Sequence, residues 1–231
     1  VWQEDLSQIN RLRREIQDMQ TRLEAANALL REEGEVKKRL LAAQTNQALF
    51  EQLDWDMERR ITSLANLIET LPEAERPGNL TAYITLCLCH IKRRCNLFFL
   101  ARQGELLPGD ELGMYLDELA ELGRYGGLKT LLRCGQIGAL EIRSAALCYD
   151  FAFETISWTL REEASPLMGY LEIEGSQLAF RFLPGGDPGH WQFSRELRSA
   201  VAALGGQIVC KDLDDAFGIC LTIPLGGESC G

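Results

Sequence analysis

Few side chains in this 231-residue chain combine chemistry with close spacing. Leu53-Asp54-Trp55-Asp56 sets two carboxylates two residues apart. An aspartate can carry a phosphoryl group as an acylphosphate, but that normally needs a Mg²⁺ pocket of several acidic groups. Asp54 and Asp56 alone do not make one, so the plainer reading is a solvated acidic face. His90 offers an imidazole, and Glu154 is followed four residues later by Trp158 on the same face of a helical stretch. Pro184-Gly185-Gly186-Asp187-Pro188-Gly189 is a glycine-rich run. Such a run by itself is usually a turn.

Other reactive types lack the spacing that chemistry needs. Among eight cysteines there is no C-x-x-C pair for zinc or redox work, and His90 and His190 are far apart, so no metal site is expected. Cys210 and Cys220 flank a hairpin, which makes a disulfide conceivable; buried free thiols in a reducing compartment are the simpler expectation. No nucleophile–base pair supports a hydrolase. Glu162 and Glu163 are neighbours on a helix, point in different directions and read as a solvated helix end.

Long periodic elements must position these groups. Ile9, Leu12, Ile16, Met19, Leu23, Ala26 and Leu30 recur at three- and four-residue steps, and the stripe resumes from Val36 to Leu71. A stripe of this period buries itself against a second copy, which predicts a parallel coiled-coil homodimer with a phase slip near Gly34. Pro72 stops the rod and Arg76-Pro77-Gly78-Asn79 turns the chain into a second helix, Leu80 to Arg102, ended by Gly104. Two such hairpins make a four-helix bundle. Beyond it the sequence predicts a helix from an Asp110 N-cap to Arg124, a strand at 128–134, and a helix at 144–162. Strands follow at 168–174 and 177–183 around Gly175-Ser176, then a helix at 193–204 and strands at 206–212 and 217–224. The fold class is α+β: coiled coil and dimerisation hairpin, then an α/β sandwich with helices on one face of a mixed sheet.

Composition narrows the partners. A net charge of −10 argues against nucleic acid, and the basic run Lys92-Arg93-Arg94 reads as a solvated helix face. No stretch approaches the roughly 18 apolar residues of a membrane span. A cytoplasmic location is expected, with room for a membrane or sensor segment upstream. Trp55 and Trp191 are candidate partner surfaces; Trp158 and Phe153 are expected to fill the core where helix meets sheet.

The C-terminal run from Leu197 through Pro224, with its helix, Gly205-Gly206, strand, turn and closing Thr222-Ile223-Pro224, resembles the end of a histidine-kinase ATP-binding domain, the fold shared with gyrase. The segment around Ile91-Lys92-Arg93-Arg94-Cys95-Asn96-Leu97 resembles the second bundle helix of related kinases. The resemblance spans residues 40–226. It implies a coiled-coil signalling helix (1–40), a dimerisation hairpin (41–105) and an ATPase-like domain (110–226).

Motif by motif the chain departs from that pattern. The phosphoacceptor histidine position falls on Asp54, and His90 lies on the wrong helix. In the box that holds Mg²⁺, Glu154 matches the acid but the asparagine falls on Trp158, whose indole donates one N–H and ligates no metal. The glycine box is represented by Gly185, Gly186 and Gly189, with Asp187 displaced from the adenine-reading position. Only Pro184 to Gln192 separates the strand from the last helix, too short for a nucleotide lid. The expectation is a two-component signalling pseudokinase without bound cofactor, acting through homodimerisation and a protein partner. Two other readings stay open. An active divergent histidine kinase would use ATP and Mg²⁺; a coiled-coil adaptor would use the α/β unit only for docking.

Overall fold

A computed structural model describes residues 19, 23–24, 27–40, 58, 61–69, 77–162, 166–185, 192–213 and 216–225. The chain divides into two compact units, Val1–Arg60 and Ile61–Gly231. In the first, residues 27–40 are helical, and Gly34 does not interrupt the helix. Lys37 pairs with Glu33 at 2.9 Å and Lys38 with Glu35 at 3.3 Å, the i,i+4 and i,i+3 neighbours of a helix face. The apolar stripe lies open in the single chain: Leu23, Leu30, Val36 and Leu40 are all more than half exposed.

The second unit carries the sandwich. A helical segment at 61–69 precedes α1 (Pro77–Gln103). Pro77 and Gly78, expected in the turn, instead open α1; proline at the first helical position loses no hydrogen bond. Then come β1 (Leu106–Leu107), α2 (Gly109–Tyr125), β2 (Thr130–Cys134) and β3 (Leu140–Glu141). The remaining elements are α3 (Ile142–Arg161), β4 (Leu167–Glu174), β5 (Gln177–Pro184), α4 (Arg195–Ala203), β6 (Gln207–Leu213) and β7 (Ala216–Pro224). Asp110 does not cap α2. Pro108 holds the N-cap, its carbonyl accepting from the amides of Glu111 and Leu112 at 3.0 and 3.2 Å. Gly109 follows because a Cβ there would lie 2.1 Å from the Ile137 carbonyl oxygen.

The five main strands run in the order β2-β4-β5-β7-β6; β2 and β4 are parallel and every other pair is antiparallel. Alternation sends Leu167, Leu171, Phe180, Phe182, Ile219 and Leu221 to one face, all of them buried. α3 lies on that face, with Phe151 against Phe180 and Phe182 at 5.6 and 5.5 Å. α1 packs in turn on α2 and α3, so α3 is sandwiched and buried on all sides. That is why apolar and small residues fill most of its faces, with the buried hydroxyls of Thr155 and Thr159 bonded back to the carbonyls of Phe151 and Thr155. Leu86 and Leu97 of α1 are as buried as the sheet residues and share their core. The second helix of the expected hairpin and the expected ATPase-like sandwich therefore meet in one hydrophobic core.

Within the β6–β7 hairpin, Cys210 faces Ile219 and Val209 faces Cys220. A one-residue offset sends the two thiols to opposite faces of the sheet, which removes the conceivable disulfide; both are free. Among the described residues no helix is long and apolar enough to cross a membrane.

Candidate functional site

α3 is the chemical centre of the unit, because it carries two acids, Asp150 and Glu154, in the middle of a helix whose side chains are mostly buried. They lie four residues apart, one turn from each other. Burial makes each carboxylate costly unless it is bonded. Each therefore reaches a partner on another element.

Glu154 reaches forward to the start of α4. The Ser194 amide donates to its Oε2 at 2.8 Å, and the Ser194 hydroxyl donates to Oε1. The same hydroxyl accepts from the Leu197 amide at 3.1 Å, which makes Ser194 the N-cap of α4. Next to it Phe193 is buried and stacks on Phe151 with ring centres 5.2 Å apart. Residues 193–194 are thus fixed to α3 by a carboxylate and a ring. Trp158, one turn beyond Glu154, is 8% exposed and packs in the interior, as its type suggested. At the other end of the short connection, the Gly185 amide donates to the Pro166 carbonyl at 2.7 Å. Asp54, Trp55, Asp56, Gly186, Asp187, Gly189 and Trp191 lie outside the described residues.

Asp150 reaches to α1. Its Oδ1 lies 2.8 Å from His90 Nε2 and 3.3 Å from Arg94 Nε. The His90 ring is 2% exposed and stacks on Phe153 at 3.9 Å and on Tyr149 at 5.5 Å. A ring held in this way has no open face toward a phosphoryl donor. Phe153, expected to help fill the space between helix and sheet, faces α1 instead.

The basic run is a solvated face only at Lys92, which is exposed; Arg93 and Arg94 are half-buried and paired. Arg93 Nε donates to Glu118 at 2.7 Å and its guanidinium lies 4.3 Å from the centre of the Tyr115 ring. Burial works against ionisation of Glu118, but the Arg93 hydrogen bond and charge outweigh it and hold the carboxyl below its ordinary value. Burial, then the hydrogen bond to Glu111, pushes the Tyr115 phenol up to about 12. Burial likewise raises Tyr149, whose hydroxyl contacts the Cys89 thiol at 3.7 Å. Among the described residues no group of three His, Cys, Asp or Glu side chains is placed to hold a metal ion.

No protein-family model matches this chain, and no curated protein sequence does. Solved structures of bacterial histidine kinases superpose on part of the chain. The histidine kinase domain of the Erythrobacter litoralis EL346 blue-light activated histidine kinase superposes with a TM-score of 0.46 at 15% identity. That alignment covers 74% of this chain and 93% of the other. The Acinetobacter baumannii histidine kinase AdeS gives 0.41 at 12% identity, covering 74% of this chain and 98% of AdeS.

Glu154 is a candidate that the sequence offers; Asp150 and Ser194 are added by the structure. The available signal was the spacing itself: acids four apart in a helix with no other interior charge require buried partners.

Proposed function

We propose that this chain is a catalytically degenerate histidine-kinase-like signalling module. It forms a homodimer through the stripe of residues 1–40 and the helices of 41–105, and its 110–226 region acts by binding a partner protein in the cytoplasm. Phosphoryl transfer is not its role.

The observation that carries this reading is the bond between Glu154 and Ser194. In the resemblance, the Glu154 position belongs to the box that serves Mg²⁺ and nucleotide. Here its carboxylate is spent on the N-cap of α4. The residues around it do not fit Mg·ATP either. Trp158 offers one N–H and no metal ligand. The Gly185 amide is already bonded to Pro166. Residues 185–194 are all that connect β5 to α4. His90 is enclosed by Phe153, Tyr149 and Asp150. Dimerisation is supported by the exposed stripe on 27–40 and by Leu88 and Phe99, which α1 leaves 51% and 49% exposed. A dimeric rod feeding packed helices is a plausible relay, because packed interfaces move between discrete arrangements.

Calorimetric titration with Mg·ATP tests this reading, with an ATP-binding kinase as positive control. The expected result is no heat of binding at millimolar nucleotide. Saturable micromolar binding would overturn the reading, and phosphorylation of Asp54 or His90 variants would then identify the acceptor.

A further inference from the structure

The main sheet has helices on one face, and the other face is open and apolar. The strand registers place Leu131, Met168 and Leu183 side by side in one row across β2, β4 and β5. Arg133, Tyr170, Arg181, Cys220 and Val209 form the adjoining row across all five strands. Leu131, Met168, Tyr170 and Leu183 are 51%, 48%, 42% and 38% exposed. Side chains on a solvated sheet face are ordinarily polar, so a contiguous apolar patch here marks a contact surface. The surface is concave, enclosing about 440 Å³. Gly218, opposite Lys211 in register, contributes no side chain to its floor.

Charge and dimensions select the occupant. Arg181 is neutralised by Glu172 at 2.6 Å and by Glu174. Arg133 and Lys211 have no acidic partner among the described residues. They stand on the two edge strands, β2 and β6. Four strand spacings of about 4.8 Å separate these edges by roughly 19 Å. A helix rising 1.5 Å per residue covers that span in about 13 residues, and its 10 Å diameter matches a two-row trough. A flat membrane would not reach a concave floor. The chain's net charge of −10 is no obstacle, since charges beyond about 8 Å are screened at physiological salt.

We infer that this open face is the docking groove for an acidic amphipathic helix of a partner protein. The helix crosses the strands with its apolar side on Leu131, Met168, Tyr170 and Leu183. An acid near each of its ends meets Arg133 and Lys211. It would cover the sheet as α3 covers the opposite face, the helix-in-groove mode of recognition. This deepens the reading of the chain as a partner-binding module and rests on it.

Fluorescence anisotropy of a fluorescein-labelled peptide tests it against the full chain. The probe is an amphipathic helix of about 16 residues, with leucines on one side and glutamates near both ends. Expected is saturable binding that weakens at least about tenfold with Met168→Asp, with the Arg133→Glu/Lys211→Glu pair, and with lysines in place of the terminal glutamates. The two charge variants alter exposed side chains, so they keep the test valid if Met168→Asp does not fold. No saturation up to about 1 mM peptide would overturn the inference, as would equal binding of a scrambled peptide. So would a dimer that Met168→Asp dissociates in sedimentation while the peptide stays unbound, or binding confined to phosphatidylserine vesicles. Nucleotide takes no part, so failure here leaves the Mg·ATP titration to judge the signalling reading separately.

Discussion

Ser194 gives both its backbone N–H and its hydroxyl to the carboxylate of Glu154, forty residues earlier in the chain. The carboxylate therefore sits against the positive end of α4, where the helix dipole favours it. Glu154 works as structural glue between two helices, and a group so engaged is not available to a cation without breaking both of its bonds to Ser194. Ser194→Ala removes the cap and one donor to a half-buried carboxylate; a loss of about 2 kcal/mol is expected. Glu154→Gln keeps an acceptor but loses the charge, for about 1 kcal/mol. Urea unfolding of both single variants and the double variant checks this. Full additivity in the cycle would mean that the two groups do not act together.

The pairing of Asp150 with His90 and Arg94 makes a second prediction, about what unfolds with what. His90→Ala removes a ring stacked on two aromatic rings and takes the imidazole from Asp150. A cost of about 3 kcal/mol is expected. Asp150→Asn still accepts from the imidazole and should cost less, about 1–2 kcal/mol. Because α1 shares the core of the sheet, His90→Ala should lower hydrogen-exchange protection in β4 and β5 as well as in α1. Loss confined to α1 would mean that the hairpin helix and the sandwich are energetically separate.

These two bonds also mark where the sequence stopped being legible. The strands at 168–174 and 177–183, the Gly175-Ser176 turn and the last helix were readable because alternation, a turn glycine and helical period are local signals. The observed elements fall within a few residues of those expectations. The partners of Glu154 and Asp150 lie 40 and 60 residues away, and no local pattern carries that distance. α1 read as part of a free hairpin because its apolar face looks the same whether it meets a second copy or α3. The strand limits of the β6–β7 hairpin do not by themselves fix which residues pair, so whether Cys210 meets Cys220 or Ile219 is decided only by the register. The two-residue strands β1 and β3 are too short to show any period.

The titrating groups around α1 predict both limbs of the pH–stability curve. Tyr115 is raised to about 12 by burial and by its bond to Glu111, so the fold prefers the neutral phenol. Its contribution is complete below the ordinary value of 10 and is lost as pH rises through about 12. Absorbance at 295 nm should show a late phenol ionisation that coincides with alkaline unfolding and is reduced in Tyr115→Phe. An early, reversible titration of every tyrosine would contradict this. Glu118 runs the other way. Its carboxyl is held below 4.5, so its contribution is present above that value and is lost as pH falls through the lowered one. Glu118→Gln should flatten the acid limb of the melting curve and leave the neutral region with a small offset.

Thiol reactivity gives the last prediction, because the register fixes what each cysteine can meet. Cys210 is exposed and Cys220 is half-buried on the opposite sheet face, so oxidation should not join them. Cys148 is fully buried in α3, and burial raises its thiol well above the ordinary value. A thiolate is the species that reacts, so burial suppresses labelling twice, by access and by ionisation. With N-ethylmaleimide at neutral pH, peptide mass spectrometry should find Cys210 modified early and Cys148 only after denaturant is added. Cys89 should follow Cys148, since it is buried against Tyr149 and also raised. Non-reducing digestion after mild oxidation should yield no Cys210–Cys220 peptide. Recovery of that peptide would require a shift of β6 by one residue along β7, which would also turn Lys211 away from the open groove.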